Sequence, residues 1–178
     1  YVKDDQDRLW YWGSDHYGCS GLSVNTGGTA NQTNITPKLT ISNVAKFAVT
    51  NYDYPSAYVL THDGKVHGTG YNGYGQLGIN NGDNQSSWAE MILTMLKTGE
   101  TVEHIFCGGQ GSYQSFGLLT NQGRVYTCGY NGYGQLGVGD SGHRKQLTEV
   151  PCRDEIVEAT FTGHERYMNL QVRLADGQ

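Results

Sequence analysis

The residues best suited to recognition chemistry sit in a nonapeptide that occurs twice. Gly70 to Gly78 and Gly129 to Gly137 both read Gly-Tyr-Asn-Gly-Tyr-Gly-Gln-Leu-Gly. Tyrosine offers a large contact area at low entropic cost, and amides supply paired hydrogen bonds. Tyr71, Asn72, Tyr74, Tyr130, Asn131 and Tyr133 are therefore candidate binding residues, with Gln76 and Gln135 beside them. The competing reading is that these side chains serve the loop's own structure, most of all in its Gln-Leu-Gly part. Three loops outside the repeat pattern are the better recognition candidates, because nothing in the repeat demands their sequence. They run from Asn25 to Thr36, from Asn80 to Ser87 and from Gly139 to Lys145, and contribute Asn31, Asn34, Asn84 and His143. Aromatic and amide groups without clustered charge suit a protein or a glycan surface.

Catalytic and metal chemistry find less support. The histidines, His16, His62, His67, His104, His143 and His164, show no H-x-x-x-H or H-E-x-x-H spacing. Cys19, Cys107, Cys128 and Cys152 form no C-x-x-C pair, which speaks against zinc-ribbon and thioredoxin chemistry. His164-Glu165-Arg166 offers acid–base side chains but lies in a loop without a partner motif. There is no G-x-S-x-G, P-loop or paired-carboxylate constellation. No catalytic residue, metal ligand or cofactor is expected. Asn31, Asn34 and Asn84 also spell N-x-S/T sequons, which arise readily by chance in a chain so rich in Asn, Ser and Thr.

Composition bounds the elements that must position these residues. Of 178 residues, 26 are glycine, 13 tyrosine and only 3 proline, and 16 % are charged. So much glycine and so little charge argue against a helical bundle, and the glycines lack the three-residue period of collagen. Short apolar runs between turn residues point to a β-rich chain. The net charge of −5 and the lack of a basic patch argue against nucleic acid as a partner. The acidic start, Asp4, Asp5 and Asp7, reads as a solvated turn, and no apolar run is long enough to span a membrane.

The repeat supplies the organisation. The nonapeptide recurs after 59 residues, and an eroded copy, Gly13 to Gly21, precedes it in phase. Residues 58–70 and 117–129 each read as strand, glycine turn and strand, a β-hairpin. Short β-type runs precede the hairpins at Val44 to Thr50, Val102 to Gly108 and Val157 to Gly163. Ser87-Trp-Ala-Glu90 spells a helix-capping box, but the repeat phase places Trp88 to Ile92 on an outer strand and favours that reading. Each period thus holds about four strands, the content of a β-propeller blade. The whole chain, 1–178, reads as one repeat array of about three four-stranded antiparallel units, an all-β fold. The units fall near 1–56, 57–115 and 116–169, with 170–178 beginning a further blade. Three blades cannot close a ring, so the expected partners include further blades, from a longer parent chain or from other subunits.

Thr61 to Gly78 and Thr120 to Gly137 resemble the regulator of chromosome condensation repeat, and Val102 to Gly109 is similar to that repeat's V-x-x-I-x-C-G-G strand. The resemblance covers essentially the whole chain, most weakly in the first unit, where Cys19-Ser20 replaces Gln-Leu. The family's His-Ser is replaced by Pro55-Ser56, Gln114-Ser115 and Met168-Asn169. The resemblance implies propeller blades and a non-enzymatic binding or structural role. The Asn/Thr/Gly/Tyr-rich composition is also similar to that of phage tail-fibre and adsorption proteins. That analogy favours a virion surface and host attachment. The alternative is a cellular, cytoplasmic protein-interaction propeller of the exchange-factor, scaffold or inhibitor kind.

Overall fold

The computed structural model describes residues 1–23, 33–50, 53–164 and 166–177. Strands β1 (Val2–Lys3), β2 (Leu9–Ser14) and β3 (Thr33–Ile41) form a three-stranded sheet. Strands β4 (Val44–Val49), β5 (Ser56–Thr61), β6 (Val66–Gly70) and β7 (Gln85–Glu90) form a four-stranded sheet in chain order. That order repeats in β8 (Val102–Gly108), β9 (Ser115–Thr120), β10 (Val125–Gly129) and β11 (Arg144–Glu149). Strands β12 (Ile156–His164) and β13 (Tyr167–Leu174) pair alone. The strand pairs are antiparallel throughout. The all-β blade architecture read from the repeat is present.

The two complete sheets are built by the same local rules. The β5–β6 and β9–β10 turns place Gly64 and Gly123 at φ of 81° and 67°, which a side chain tolerates poorly. Thr61 and Thr120 accept the turn's closing bonds from Gly64 N–H at 2.9 Å and Gly123 N–H at 3.0 Å. β5 and β9 are buried along all six residues. Such a strand must be apolar or have its hydroxyls bonded. Ser56 and Ser115 meet the condition by donating to the carbonyls of Tyr71 and Tyr130, each at 2.8 Å. Residues 85–90 are strand β7, as the repeat phase favoured over the capping-box spelling, and Trp88 donates from Nε1 to Thr40 Oγ1 at 2.8 Å. β12 starts one residue before the expected run. Ile156, 2 % exposed, takes the buried position, and Val157 is 38 % exposed. A one-residue shift exchanges the faces of a strand, and the apolar pair Ile156–Val157 fits either phase.

The core lies in the seams between sheets. Leu9 of the first sheet packs with Val44 and Val59 of the second. Tyr58, Leu60 and Val66 of the second meet Phe116, Leu118 and Tyr126 of the third. Phe106, Leu119 and Val125 of the third meet Ile156, Phe161 and Met168. Tyr58 and Phe116, both 0 % exposed, stack with ring centroids 4.4 Å apart. Burying such a side chain is worth about 1.5–3 kcal/mol, and the ring pair about 0.5–1.5 kcal/mol more.

A buried carboxylate ties the 91–100 turn to the third sheet. Glu100 accepts from Lys97 N–H at 2.7 Å, Thr120 Oγ1 at 2.7 Å and Tyr126 Oη at 3.1 Å, with Arg124 Nη1 at 3.5 Å. Burial opposes its ionisation, but these donors outweigh it and hold the carboxyl below its ordinary value.

Two outcomes follow from this packing. Phe116→Ala should cost about 3–5 kcal/mol in urea unfolding, because it opens a cavity in the central seam. The Glu100 clasp contributes fully above the ordinary glutamate range. Its contribution is lost as pH falls through the lowered folded value, so wild-type stability should decline between about pH 5 and pH 3. Glu100→Gln should be less stable at pH 7 and show a shallower decline, as measured by urea midpoints across that range.

Candidate functional site

The two nonapeptide loops are held by matching hydrogen bonds. In the first, Asn72 Oδ1 accepts from Leu77 N–H at 2.9 Å, and Nδ2 donates to the carbonyls of Asn81 and Asp83 at 3.1 Å. In the second, Asn131 Oδ1 accepts from Leu136 N–H at 2.9 Å, and Nδ2 donates to the carbonyls of Asp140 and Gly142 at 2.8 and 3.0 Å. Gln76 Oε1 and Gln135 Oε1 accept from Tyr74 N–H and Tyr133 N–H, each at 3.0 Å. Asn72 and Asn131 are 0 % exposed. Their amides are taken up in folding the loop.

Asn84 and His143 occupy equivalent places. Asn84 Oδ1 accepts from Asn72 N–H at 2.9 Å, and His143 Nδ1 accepts from Asn131 N–H at 3.0 Å. Both remain exposed. Each closes the nonapeptide loop beside it, so the 80–87 and 139–145 loops are not independent of the repeat. Burial lowers the His143 pKa, which favours the neutral imidazole that this acceptor role needs. Asn31 lies outside the described residues, as does Glu165 of the His164-Glu165-Arg166 run. Asn34 pairs through its backbone with Gly13 in the first sheet.

The exposed chemistry is aromatic and runs from unit to unit. Tyr17, Tyr54 and Tyr71 form one cluster, with ring centroids 4.9, 5.3 and 4.9 Å apart. Tyr74, Tyr113 and Tyr130 form the equivalent cluster, at 6.3, 5.1 and 4.9 Å, with His143 4.7 Å from Tyr74 and 4.9 Å from Tyr130. Tyr133 and Tyr167 make the corresponding pair in the next unit, 5.2 Å apart, with the Arg166 guanidinium 5.1 Å from the Tyr167 ring. In both three-tyrosine clusters the fifth loop residue of one sheet meets two loop tyrosines of the next sheet. Burial first, and then the neighbouring tyrosines, raise the pKa values of Tyr71 and Tyr130. Exposure divides the set: Tyr130 is 8 % exposed, whereas Tyr133 and Tyr167 are 55 % and 57 % exposed.

Residue-by-residue reading of the loops missed Tyr17, Tyr54, Tyr113 and Tyr167. The signal was present, because a tyrosine precedes each departure from the His-Ser pattern: Tyr54-Pro55, Tyr113-Gln114 and Tyr167-Met168. One departure also crosses a seam. Gln114 Oε1 accepts from Ser56 Oγ at 2.9 Å, and its Nε2 donates to the Tyr54 carbonyl at 2.5 Å. Among the described residues no group of three or more His, Cys, Asp or Glu side chains is placed to hold a metal ion.

Sheets packed face to face, with equivalent loops linked along one rim, define an array of β-propeller blades. Residues 122–160 match the family model described as "Regulator of chromosome condensation (RCC1) repeat". This match, with the relatives that follow, supports that repeat family for the chain. It is 33 % identical over 137 residues to the human "Probable E3 ubiquitin-protein ligase HERC4", covering 76 % of this chain and 12 % of the ligase. It is 27 % identical over 136 residues to the frog (Xenopus laevis) "Serine/threonine-protein kinase Nek9", covering 75 % of this chain and 13 % of the kinase. The chain thus matches about an eighth of the length of these relatives. Among solved structures, Prp20p from Saccharomyces cerevisiae superposes with a TM-score of 0.69 at 15 % identity, over 93 % of this chain and 39 % of that one. This last likeness concerns the fold.

The two loops differ in one way that acid should reveal. A protonated His143 cannot accept from Asn131 N–H. Because burial lowers its folded pKa, this bond persists below the ordinary histidine range and is lost only as pH falls through the lowered folded value. The Asn131 amide resonance should therefore shift on acidification, while the Asn72 amide, bonded to Asn84, stays in place. His143→Asn should abolish the difference in 1H–15N spectra.

Proposed function

We propose that this chain is part of a cellular protein-interaction propeller and binds protein partners along its tyrosine-lined rim. The observation that carries the reading is the set of inter-unit tyrosine clusters, partly exposed and held on a rigid framework. Tyrosine is enriched at the centre of protein interfaces, where a few aromatic anchors carry most of the affinity. The relatives support the cellular reading over the virion one. A ligase and a kinase, two proteins with different names and chemistry, share this stretch and little else of their length with the chain. A common stretch in such different proteins serves recognition more readily than either reaction. Prp20p of the yeast structure is described as binding Gsp1p and histones, both proteins. The reading assigns no reaction to this chain.

A photo-crosslinking amino acid at Tyr133, compared with one at Val157 on β12, tests the reading. Incubation in a cell extract should give discrete protein adducts at position 133 and few at 157. Tyr74→Ala combined with Tyr167→Ala should weaken those adducts roughly tenfold or more, as expected for interface anchors. Tyr167→Ala alone should change stability by less than about 0.5 kcal/mol, as is usual for exposed sites. Tyr71→Ala with Tyr130→Ala should instead lower the melting temperature, because Tyr130 is buried. Equal adducts at both positions, or adducts unaffected by the substitutions, would remove the rim from the interface.

A further inference from the structure

The dipeptide Asn-Gly occurs three times in the chain, at Asn72-Gly73, Asn81-Gly82 and Asn131-Gly132. In this pairing a backbone nitrogen readily attacks the side-chain amide before it, because glycine places no Cβ in the way. The reaction needs an amide turned toward the next peptide, a side-chain nitrogen free to leave, and stabilisation of the charge that develops on Oδ1. The structure divides the three sites on these grounds.

Asn72 and Asn131 are held against the reaction. Both are 0 % exposed, and in each the oxygen and the nitrogen of the amide are bound to the loop's own backbone. Asn81 is half-buried beside the first nonapeptide loop and is held differently. Its Oδ1 accepts from Asp83 N–H at 3.0 Å and from Asn72 Nδ2 at 3.1 Å, while its Nδ2 donates to nothing among the described residues. The bond to Asp83, two residues on, folds the amide back over the Gly82 peptide. Two donors at this distance from the oxygen that becomes charged are the arrangement that stabilises a tetrahedral oxyanion. The Gly82 N–H carries no hydrogen bond among the described residues. The place of its absent Cβ is open, with the nearest atoms, Asn72 O, Gly73 O and Lys145 Nζ, all 3.7 Å away.

The product is one that this loop geometry accepts. Asp140 stands in the third sheet's loop where Asn81 stands in the second's. Its carbonyl accepts from Asn131 Nδ2 at 2.8 Å, and its Oδ1 from Gly142 N–H at 2.8 Å. Asp140 is followed by Ser141 and has no amide to lose, so the second loop lacks the reaction.

We infer that Asn81 is a self-modifying site, at which the folded chain converts asparagine to aspartate or isoaspartate with water as co-reactant. The Gly82 nitrogen bonds to Asn81 Cγ, the Cγ–Nδ2 bond breaks, and Nδ2 leaves as ammonia with the Gly82 proton. Water then opens the cyclic imide at either carbonyl. Both products add a carboxylate near Lys145 of the third sheet, whose carbonyl accepts from Asn80 N–H at 2.9 Å. Aspartate keeps the loop as Asp140 does. Isoaspartate routes the main chain through the β-carbon, which displaces the carbonyl of residue 81 and releases Asn72 Nδ2 from it. The two identical nonapeptides therefore age differently: the first gains charge and loosens, and the second does not. This chemistry belongs to the loop and does not depend on what the rim binds.

Peptide mapping by mass spectrometry tests it, on the 178-residue chain held at neutral pH either folded or in urea. In the folded chain Asn81 should convert at a rate no lower than in urea, while Asn72 and Asn131 stay intact. In urea all three should convert alike. Gly82→Ala should slow conversion of the folded chain at least several-fold, and Asn81→Asp should leave the melting temperature unchanged. In aged protein the Leu77 amide resonance, which reports the bond to Asn72 Oδ1, should shift, while that of Leu136 stays in place. An Asn81 that stays intact in the folded chain but converts in urea would overturn the site, as would equal conversion of Asn72 and Asn131 in the folded chain. An unshifted Leu77 amide in protein converted to isoaspartate would overturn the loosening of the loop.

Discussion

Every sheet in this chain has two faces to bury, and the contact that meets this need most fully is the stack of Tyr58 on Phe116. Both rings are fully enclosed, and each belongs to a different sheet. The rest of the architecture follows from that need. β5 and β9 must be apolar along their length, their terminal hydroxyls must find acceptors, and the turns around them must be tight. Glycine serves the last requirement. At Gly70, φ is 102° and a Cβ would lie 2.9 Å from Ser56 Cα, so both the backbone and the neighbouring strand exclude a side chain.

The seams also account for the rim. Once the sheets are registered face to face, the loop that follows β6 or β10 lies beside the segment that enters the next unit. Buried Asn72 and Asn131 lock the shape of each loop from within, which leaves the loop's tyrosines as its outward chemistry. The second of those tyrosines reaches the following unit, so each seam is marked on the rim by a ring cluster. Recognition at such a surface costs little ordering entropy, because the rings are held before any partner arrives.

The repeat made much of this legible. Two identical nonapeptides in phase with hairpins were sufficient for the all-β blade architecture and for the equivalence of the two loops. The division of labour within the loop was not legible. Tyr71 and Tyr130, or Asn72 and Tyr74, look alike as recognition residues until burial separates them, because a side chain's type does not reveal which way its loop faces. Asn84 and His143 read as variable loop residues, yet they accept equivalent backbone bonds twelve positions after their loop asparagines. An amide oxygen and an imidazole nitrogen do the same work, which hides the equivalence in the letters. Tyr54, Tyr113 and Tyr167 were visible only as neighbours of the lost His-Ser pattern.

The central claim is that seam packing couples the second and third sheets into one structural unit, on which the rim is displayed. Native-state hydrogen exchange tests it most directly. The Leu77 and Leu136 amides, bonded to Asn72 and Asn131, lie in different units on the two sides of the central seam. The account predicts that these amides, with those of β5 and β9, exchange through one opening with a common free energy. It also predicts that Phe116→Ala lowers that value on both sides together. Separate opening energies for the two sheets, with Phe116→Ala affecting only the third, would contradict it.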